Sequence, residues 1–397
     1  MLESRAEQWH AAIVDLLKEV NLSQPDELPH LVRAVTAQLA KDVRIYLVDY
    51  EQETLRELTA TATGDEQPVQ HSTAGEAYRV GKVVADPSDP GLLWVPLVDS
   101  TERLGVLRVA AEPESGVFEG EEPDIQFAHL LGHLVAAKMP YGDRLHRVRS
   151  SQAMTMASVL LRQLLPPSTF TSDRLVLAAA MQPAYAVGGD CFDYAVDGDL
   201  ARIVVLDGAG HGMTAGLSVA VALSAIRAAR RNGGGFGEMT EQADAQLAEE
   251  FTNSQYVTGV LADLNLVTGV LRYVSCGHPE PVVLPASGGA VPLTAARRPP
   301  LGIPDQVEPA EHQLFPGDRL LLYTDGIVES RAADGTLFGV ERLVGTAQEL
   351  IAAGQTSPEI ARLLTRAVME HHHGPPADDA TVLLVEWSTT AAEKALP

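Results

Sequence analysis

An α+β chain of two domains joined by a helical linker is what this sequence predicts, and three observations carry the expectation. The chain has 397 residues, long for one compact core of ordinary size. Short apolar runs of strand length alternate with helical stretches. In the second half, several such runs begin or end on aspartates. Residues 203–206 lead into Asp207, residues 320–323 into Thr324-Asp325, and Asp378-Asp379 comes just before the run 381–385. A Gly188-Gly189 turn supplies a fourth site at Asp190.

Taken in order, residues 6–41 read as two helices broken at Asn21-Leu22-Ser23-Gln24-Pro25. Leu28, Leu31, Val32, Val35 and Leu39 recur at helical spacing in the second. Strands are predicted at 43–48, 55–62 and 82–84, then at 92–98 and 104–109 around the polar turn 99–103. A helix over 123–138 closes a sensor-like α+β domain, residues 1–140. Pro140-Tyr141-Gly142 interrupts the chain. Residues 143–165 then read as one helix, stopped by Pro166-Pro167. Leu145, Val148, Met156, Val159 and Leu160 form its expected apolar face, so 141–166 is read as a linker helix, either a lever and dimer contact or packed on its own domain.

The remainder, 167–390, is richest in strands. Asp197-Gly198-Asp199 turns a hairpin between 193–196 and 201–206, and residues 257–263 pair with 269–274 across a second. A long alanine-rich helix over 214–230 stops at Asn232-Gly233-Gly234-Gly235. Helices at 238–251 and 357–371 complete an α/β/β/α sandwich pattern.

Composition removes several functions. A net charge of −24 argues against nucleic acid, which requires a basic face, and against anionic lipid. Two cysteines, Cys191 and Cys276, are too few for a disulfide framework or a zinc knuckle. The first residues lack the basic and apolar regions of a signal peptide, and no apolar run reaches the roughly 18 residues of a membrane span. The expected location is the cytoplasm.

Carboxylates held at strand ends offer oxygen ligands only, which suit magnesium or manganese better than zinc or copper. Two such cations roughly 3.5–4 Å apart stabilise the charge of a phosphate-ester transition state and lower the pKa of a bridging water. Glycine after the aspartate permits a tight turn and leaves its carbonyl open to a metal. A two-metal hydrolase is the first reading.

Two resemblances sharpen it. Thr73-Ala74-Gly75-Glu76-Ala77 before Val83-Val84, with Leu93-Trp94-Val95-Pro96-Leu97-Val98 before Leu104-Gly105-Val106-Leu107-Arg108-Val109, resembles a GAF domain, which implies a sensory or dimerising module. Val187-Gly188-Gly189-Asp190-Cys191-Phe192-Asp193-Tyr194 and Val205-Leu206-Asp207-Gly208-Ala209-Gly210-His211-Gly212 resemble the SpoIIE/RsbU branch of the metal-dependent (PPM) protein phosphatases. So do Tyr256-Val257-Thr258, Cys276-Gly277-His278-Pro279, Pro300-Leu301-Gly302-Ile303, Pro316-Gly317-Asp318, Thr324-Asp325-Gly326 and Asp378-Asp379-Ala380-Thr381. The ordered set, more than any one piece, carries this likeness.

That likeness implies Mn²⁺- or Mg²⁺-dependent hydrolysis of phosphoserine or phosphothreonine in a protein. Asp207 would bridge two ions with the Gly208 carbonyl on one, Asp190 would serve one ion directly or through water, and Asp325 and Asp378 would complete the other. Asp379 would stand behind these ligands, and Asp193 would orient the first motif or merely end a strand. The implied substrate is a phosphorylated STAS-type anti-anti-sigma factor. A homodimer is expected from a linker helix after a GAF-like domain. The rivals are a pseudophosphatase acting as a sensory scaffold, and a hydrolase of small phosphates or nucleotides. The intact acidic set opposes the first; the lack of a Walker loop opposes the second.

Other residues are read plainly. His71 is a solvated loop histidine, His211 belongs to the turn opening the next helix, and His278 is a packed loop residue. His371-His372-His373 are a helix end, since consecutive helical residues do not share a face. Cys191 is a buried packing residue beside a ligand. No arginine near the first motif marks itself as a phosphate clamp.

Overall fold

A computed structural model describes residues 2–39, 41–60, 64–111, 122–182, 185, 188–251, 255–306, 308–372 and 378–389. Two compact units divide the chain, one through Ala153 and one from Met154.

The first unit begins with α1 (Leu2–Val20) and α2 (Leu28–Ala37). Then come β1 (Lys41–Val48), β2 (Thr54–Glu57), β3 (Glu66–Pro68), α3 (Thr73–Val80), β4 (Val84–Asp86), β5 (Asp89–Asp99) and β6 (Glu102–Ala111). Helices α4 (Glu122–Lys138) and α5 (Asp143–Arg149) follow. The strands form an antiparallel sheet in the order β3-β2-β1-β6-β5-β4. Residues of β1 alternate between two cores, because successive side chains leave a strand on opposite faces. Val43, Ile45 and Leu47 join Trp9, Leu28 and Phe127, whereas Tyr46 and Val48 join Trp94, Ala77 and Tyr78 under α3. Helix α3 is not signalled by any long periodicity. It is short and defined by its ends: the Ser72 side chain accepts from the Gly75 amide, and Gly81 closes it in the left-handed region at φ 66°. The predicted strand at 55–62 is shorter where described, and the one at 82–84 begins only at Val84.

The second unit starts with α6 (Met156–Leu164), β7 (Thr169–Ser172), β8 (Leu175–Gln182), β9 (Asp190–Asp197) and β10 (Leu200–Gly208). Helices α7 (Met213–Arg231) and α8 (Phe236–Glu250) precede β11 (Val257–Asn265) and β12 (Val270–Cys276). Short strands β13 (Val282–Leu284), β14 (Val291–Pro292), β15 (Arg297–Arg298) and β16 (Ala310–Gln313) lead to β17 (Arg319–Tyr323). The unit ends with α9 (Asp325–Val328), α10 (Val340–Ala352), α11 (Ser357–His371) and β18 (Ala380–Trp387). One sheet runs β15-β12-β11-β10-β9, with β16 also on β12, and the other β14-β13-β17-β18-β8-β7.

Three cores make these layers a sandwich. Leu177, Phe192, Val205, Leu322 and Leu383 fill the space between the sheets. Val219, Leu223 and Ile226 of α7 pack with Met239 and Leu247 of α8 on Val204 and Leu206. Leu343 of α10 joins Ile360 and Leu364 of α11 on Leu321 and Leu384. The α/β/β/α order is thus the observed one, and α10 is an element the sequence reading omitted.

One expectation fails. Residues 143–165 are not a continuous helix: α5 ends at Arg149, Ser150 is extended (φ −105°, ψ 119°), and α6 starts afresh after Thr155. The Thr155 hydroxyl accepts from the Ser158 amide at 3.1 Å, giving the backbone a local partner that starts a new helix instead of continuing the old one. The expected apolar face fails with it. Helix α6 buries Ala157, Ser158 and Leu161 and leaves Met156 76% exposed. Among the described residues, no helix is long and apolar enough to cross a membrane.

Candidate functional site

Strand register brings the first two aspartates together. Asp190 opens β9 and Asp207 lies near the end of β10, and the two are direct antiparallel partners. Gly208 pairs with Val257 of β11. From the other sheet, β17 runs into Thr324 and then Asp325 at the start of α9, while Asp378 and Asp379 precede β18, the neighbour of β17. Two pairs of adjacent strands, one from each sheet, therefore end in carboxylates at the same edge of the sandwich.

The two sheets are stitched together there. Asp190 Oδ2 accepts from the Thr324 hydroxyl at 2.7 Å and from the Thr381 hydroxyl at 2.6 Å, and the Thr381 amide donates to Thr324 Oγ1 at 3.0 Å. Asp379 Oδ2 accepts from the amides of Gly188 and Gly189, each at 2.7 Å, and of Asp190 at 3.3 Å. The bend carrying Asp190 is thus wrapped around one carboxylate oxygen. Close approach is also required at Gly326, where a Cβ would lie 1.9 Å from the Asp379 carbonyl oxygen. Asp193 faces the other way, as an odd offset along a strand demands. Its carboxylate, 2% exposed, takes Arg227 at 2.6 Å and Arg230 at 2.8 Å, both from α7.

Burial is graded: Asp190 is buried, Asp207 and Asp325 are half-buried, and Asp378 is exposed. Burial raises the Asp190 carboxyl well above its ordinary range, the charges of Asp207 and Asp379 add to this, and the two threonine hydroxyls oppose it. Asp207 is pushed up to about 8 by burial and by Asp325, Asp378 and Asp379, and it shares a hydrogen bond with Asp325. Asp325 and Asp378 are raised by burial first and by neighbouring carboxylates, Glu329 included. Among the described residues, no lysine or arginine is ion-paired with any of these four. An all-oxygen donor set without a protein counter-charge fits a hard divalent cation. Among the described residues, however, no three side chains are already closed into one coordination shell.

A cavity of about 240 Å³ lies beside Asp325 and Asp378, with Arg331, Met369 and His372 on its wall. His211 is exposed and close enough to Asp378 to lower its carboxyl slightly. His278 is buried, 2.9 Å from the Thr258 hydroxyl. His371 meets Arg342 and the Thr336 carbonyl, whereas His372 meets Ser330; these two do not converge, and His373 lies outside the described residues. His71 is exposed. Both cysteines are buried, and burial pushes the Cys191 thiol up and the Cys276 thiol to about 12.

Sequence reading placed Thr324 and Thr381 in motifs without giving them a role, and it missed Arg227 and Arg230. Each threonine sits within two residues of a motif aspartate, and that adjacency is a usable signal. Nothing in the sequence marks the two arginines, which are ordinary members of an alanine-rich helix.

The family described as Stage II sporulation protein E (SpoIIE) matches residues 197–388, a span that holds Asp207, Asp325, Asp378 and Asp379 and begins just after Asp190 and Asp193. Protein IcfG of Synechocystis sp. (strain ATCC 27184 / PCC 6803 / Kazusa) is 24% identical over 238 residues, 52% of this chain. The match spans only 37% of that relative's length. The SiaA-PP2C domain of Pseudomonas aeruginosa aligns with a TM-score of 0.51 and 22% identity, over 64% of this chain and 99% of that one. The PP2C phosphatase domain with a regulatory-domain fragment of SpoIIE from Bacillus subtilis aligns at 0.47 and 22% identity, over 54% and 64%. Together these place the fold: residues 197–388 match the SpoIIE family, and the domain that holds them shares the fold of the Pseudomonas PP2C domain.

Proposed function

We propose that this chain is a Mn²⁺- or Mg²⁺-dependent protein serine/threonine phosphatase. The observation that carries the reading is the convergence of Asp190, Asp207, Asp325 and Asp378 at one edge of the sandwich, with no lysine or arginine ion-paired to them among the described residues. In this reading Asp207 and the Gly208 carbonyl serve a two-ion site, Asp190 serves one ion, and Asp325 and Asp378 serve the other. When bound, such ions supply a hydroxide near neutral pH and charge for the phosphoryl oxygens. Thr324 and Thr381 hold Asp190 from below, and Asp379 holds the bend that presents it. The cavity beside Asp325 and Asp378 is where we place the phosphorylated segment.

The proposed substrate is a phosphorylated STAS-domain anti-anti-sigma factor, a choice that rests on the ordered motifs. The first unit, with its GAF-like sequence, is proposed as the sensor, in a cytoplasmic homodimer. The test is Mn²⁺-dependent hydrolysis of p-nitrophenyl phosphate by the full chain and by Asp207→Asn, followed by a phosphoserine protein against nucleotides. Turnover that Asp207→Asn abolishes supports the phosphatase. Neither turnover nor Mn²⁺ binding in the full chain leaves the scaffold reading in its place.

A further inference from the structure

Among the described residues, strand β9 is the edge of its sheet and pairs only with β10, so one ladder secures the strand that presents Asp190. On the side between the sheets, Thr324, Thr381 and Asp379 hold it. The opposite side is held by Asp193, and one of its two arginines does more than neutralise it. Arg227 Nη2 donates to Asp193 at 2.6 Å and also to the Leu164 carbonyl, at the C-terminal end of α6, at 2.6 Å. At the other end of α6, the Thr155 amide donates to the Tyr185 carbonyl at 2.9 Å, shortly before the Gly188-Gly189 bend. Near that same end, Gly216 of α7 lets α6 and the bend close in together. A Cβ there would lie 3.0 Å from the Gly188 carbonyl oxygen and 3.3 Å from the Ala157 side chain. Helix α6 is therefore fastened at both ends to the segment 185–193.

We propose that Arg227 is a positioning residue for Asp190: by joining the end of α6 to Asp193 it makes the seat of α6 set where the metal-facing end of β9 stands. This rests on the phosphatase reading above, in which Asp190 serves a divalent ion. Arg230 provides an internal comparison, since it meets the same carboxylate without bridging to α6.

The experiment uses the full chain as Arg227→Gln, Arg227→Lys and Arg230→Gln. Hydrogen exchange of the metal-free proteins is followed over residues 155–165 and 188–194, and Mn²⁺ affinity is measured by calorimetry. Arg227→Gln should speed exchange in both segments and weaken Mn²⁺ about tenfold, the lower end for a residue supporting a ligand. Arg227→Lys should recover part of both, and Arg230→Gln should leave residues 155–165 as they were. Equal behaviour of the two Gln variants would overturn the proposal, as would unchanged exchange at 188–194 in Arg227→Gln. Should Arg227→Gln fail to fold, Arg227→Lys against Arg230→Gln decides by the same readings. A parent chain that binds no Mn²⁺ would sink the phosphatase reading, while the exchange data would still judge Arg227.

Discussion

Both units pair their buried charges, and one place in the second departs from that rule. In the first, Lys41 and Asp124, each 5% exposed, meet at 2.5 Å, with Lys41 also over the Trp9 ring. Glu57 there lies between Arg33 at 2.8 Å and Arg44 at 3.6 Å. In the second, Arg298 meets Asp244 and Asp193 has its two arginines, but the four aspartates at the sandwich edge face each other. Paired charge is what a fold tolerates in its interior. Carboxylates gathered without a cation carry a standing electrostatic cost, and that contrast separates a site from a scaffold.

The contrast breaks most sharply at Asp207. Asp207→Asn should reduce Mn²⁺-dependent turnover of p-nitrophenyl phosphate to background while the metal-free protein melts no lower than its parent. A loss of Tm alongside activity would mean that Asp207 is structural. The matching change in the first unit is Lys41→Ala, which removes the buried lysine that Asp124 meets. It should cost about 3–5 kcal/mol, the scale for breaking a buried pair, read by urea unfolding, and leave Mn²⁺ affinity unchanged.

Within the second unit, protonation acts with opposite sign at two positions. Burial lowers His278 to about 4, so the unfolded chain takes up protons there before the folded one does. Its contribution to stability is complete above the ordinary histidine pKa of about 6.5 and is lost as pH falls towards 4, by at most about 3 kcal/mol. Asp207, raised to about 8, runs the other way: without metal its contribution declines as pH rises from about 4 through 8. Between about pH 4 and 6.5 the two contributions oppose each other, so melting curves of chelated protein should be nearly level there and fall above about 6.5, with His278→Gln extending that decline down to about 4 and Mn²⁺ lifting it. A chelated protein equally stable at pH 6 and pH 9 would contradict the crowding of these carboxylates. The smallest effect expected is that of Thr381→Val, which removes one of two hydroxyls from Asp190 and should weaken Mn²⁺ about tenfold. Calorimetry reads it directly.

How much of this was legible depends on distance along the chain. Helix α7, the hairpins around residues 198 and 266, and strand β18 follow from periodicity and turn chemistry inside short windows. The break between α5 and α6 was hidden because a serine and a threonine there outweigh helical spacing through local side-chain bonds. The amphipathic α10, with Leu343 and Ala347 buried, was legible in principle and overlooked. By itself the sequence determined which residues are carboxylates at the ends of apolar runs, because burial of those runs fixes where the chain must turn. Only the tertiary structure decided that Asp190 stands opposite Asp207, that Thr324 and Thr381 reach it from 134 and 191 residues away, and that Arg227 links α6 to Asp193. Those contacts depend on how two sheets and a helix layer pack. No local propensity encodes the register between segments that meet only when the core closes.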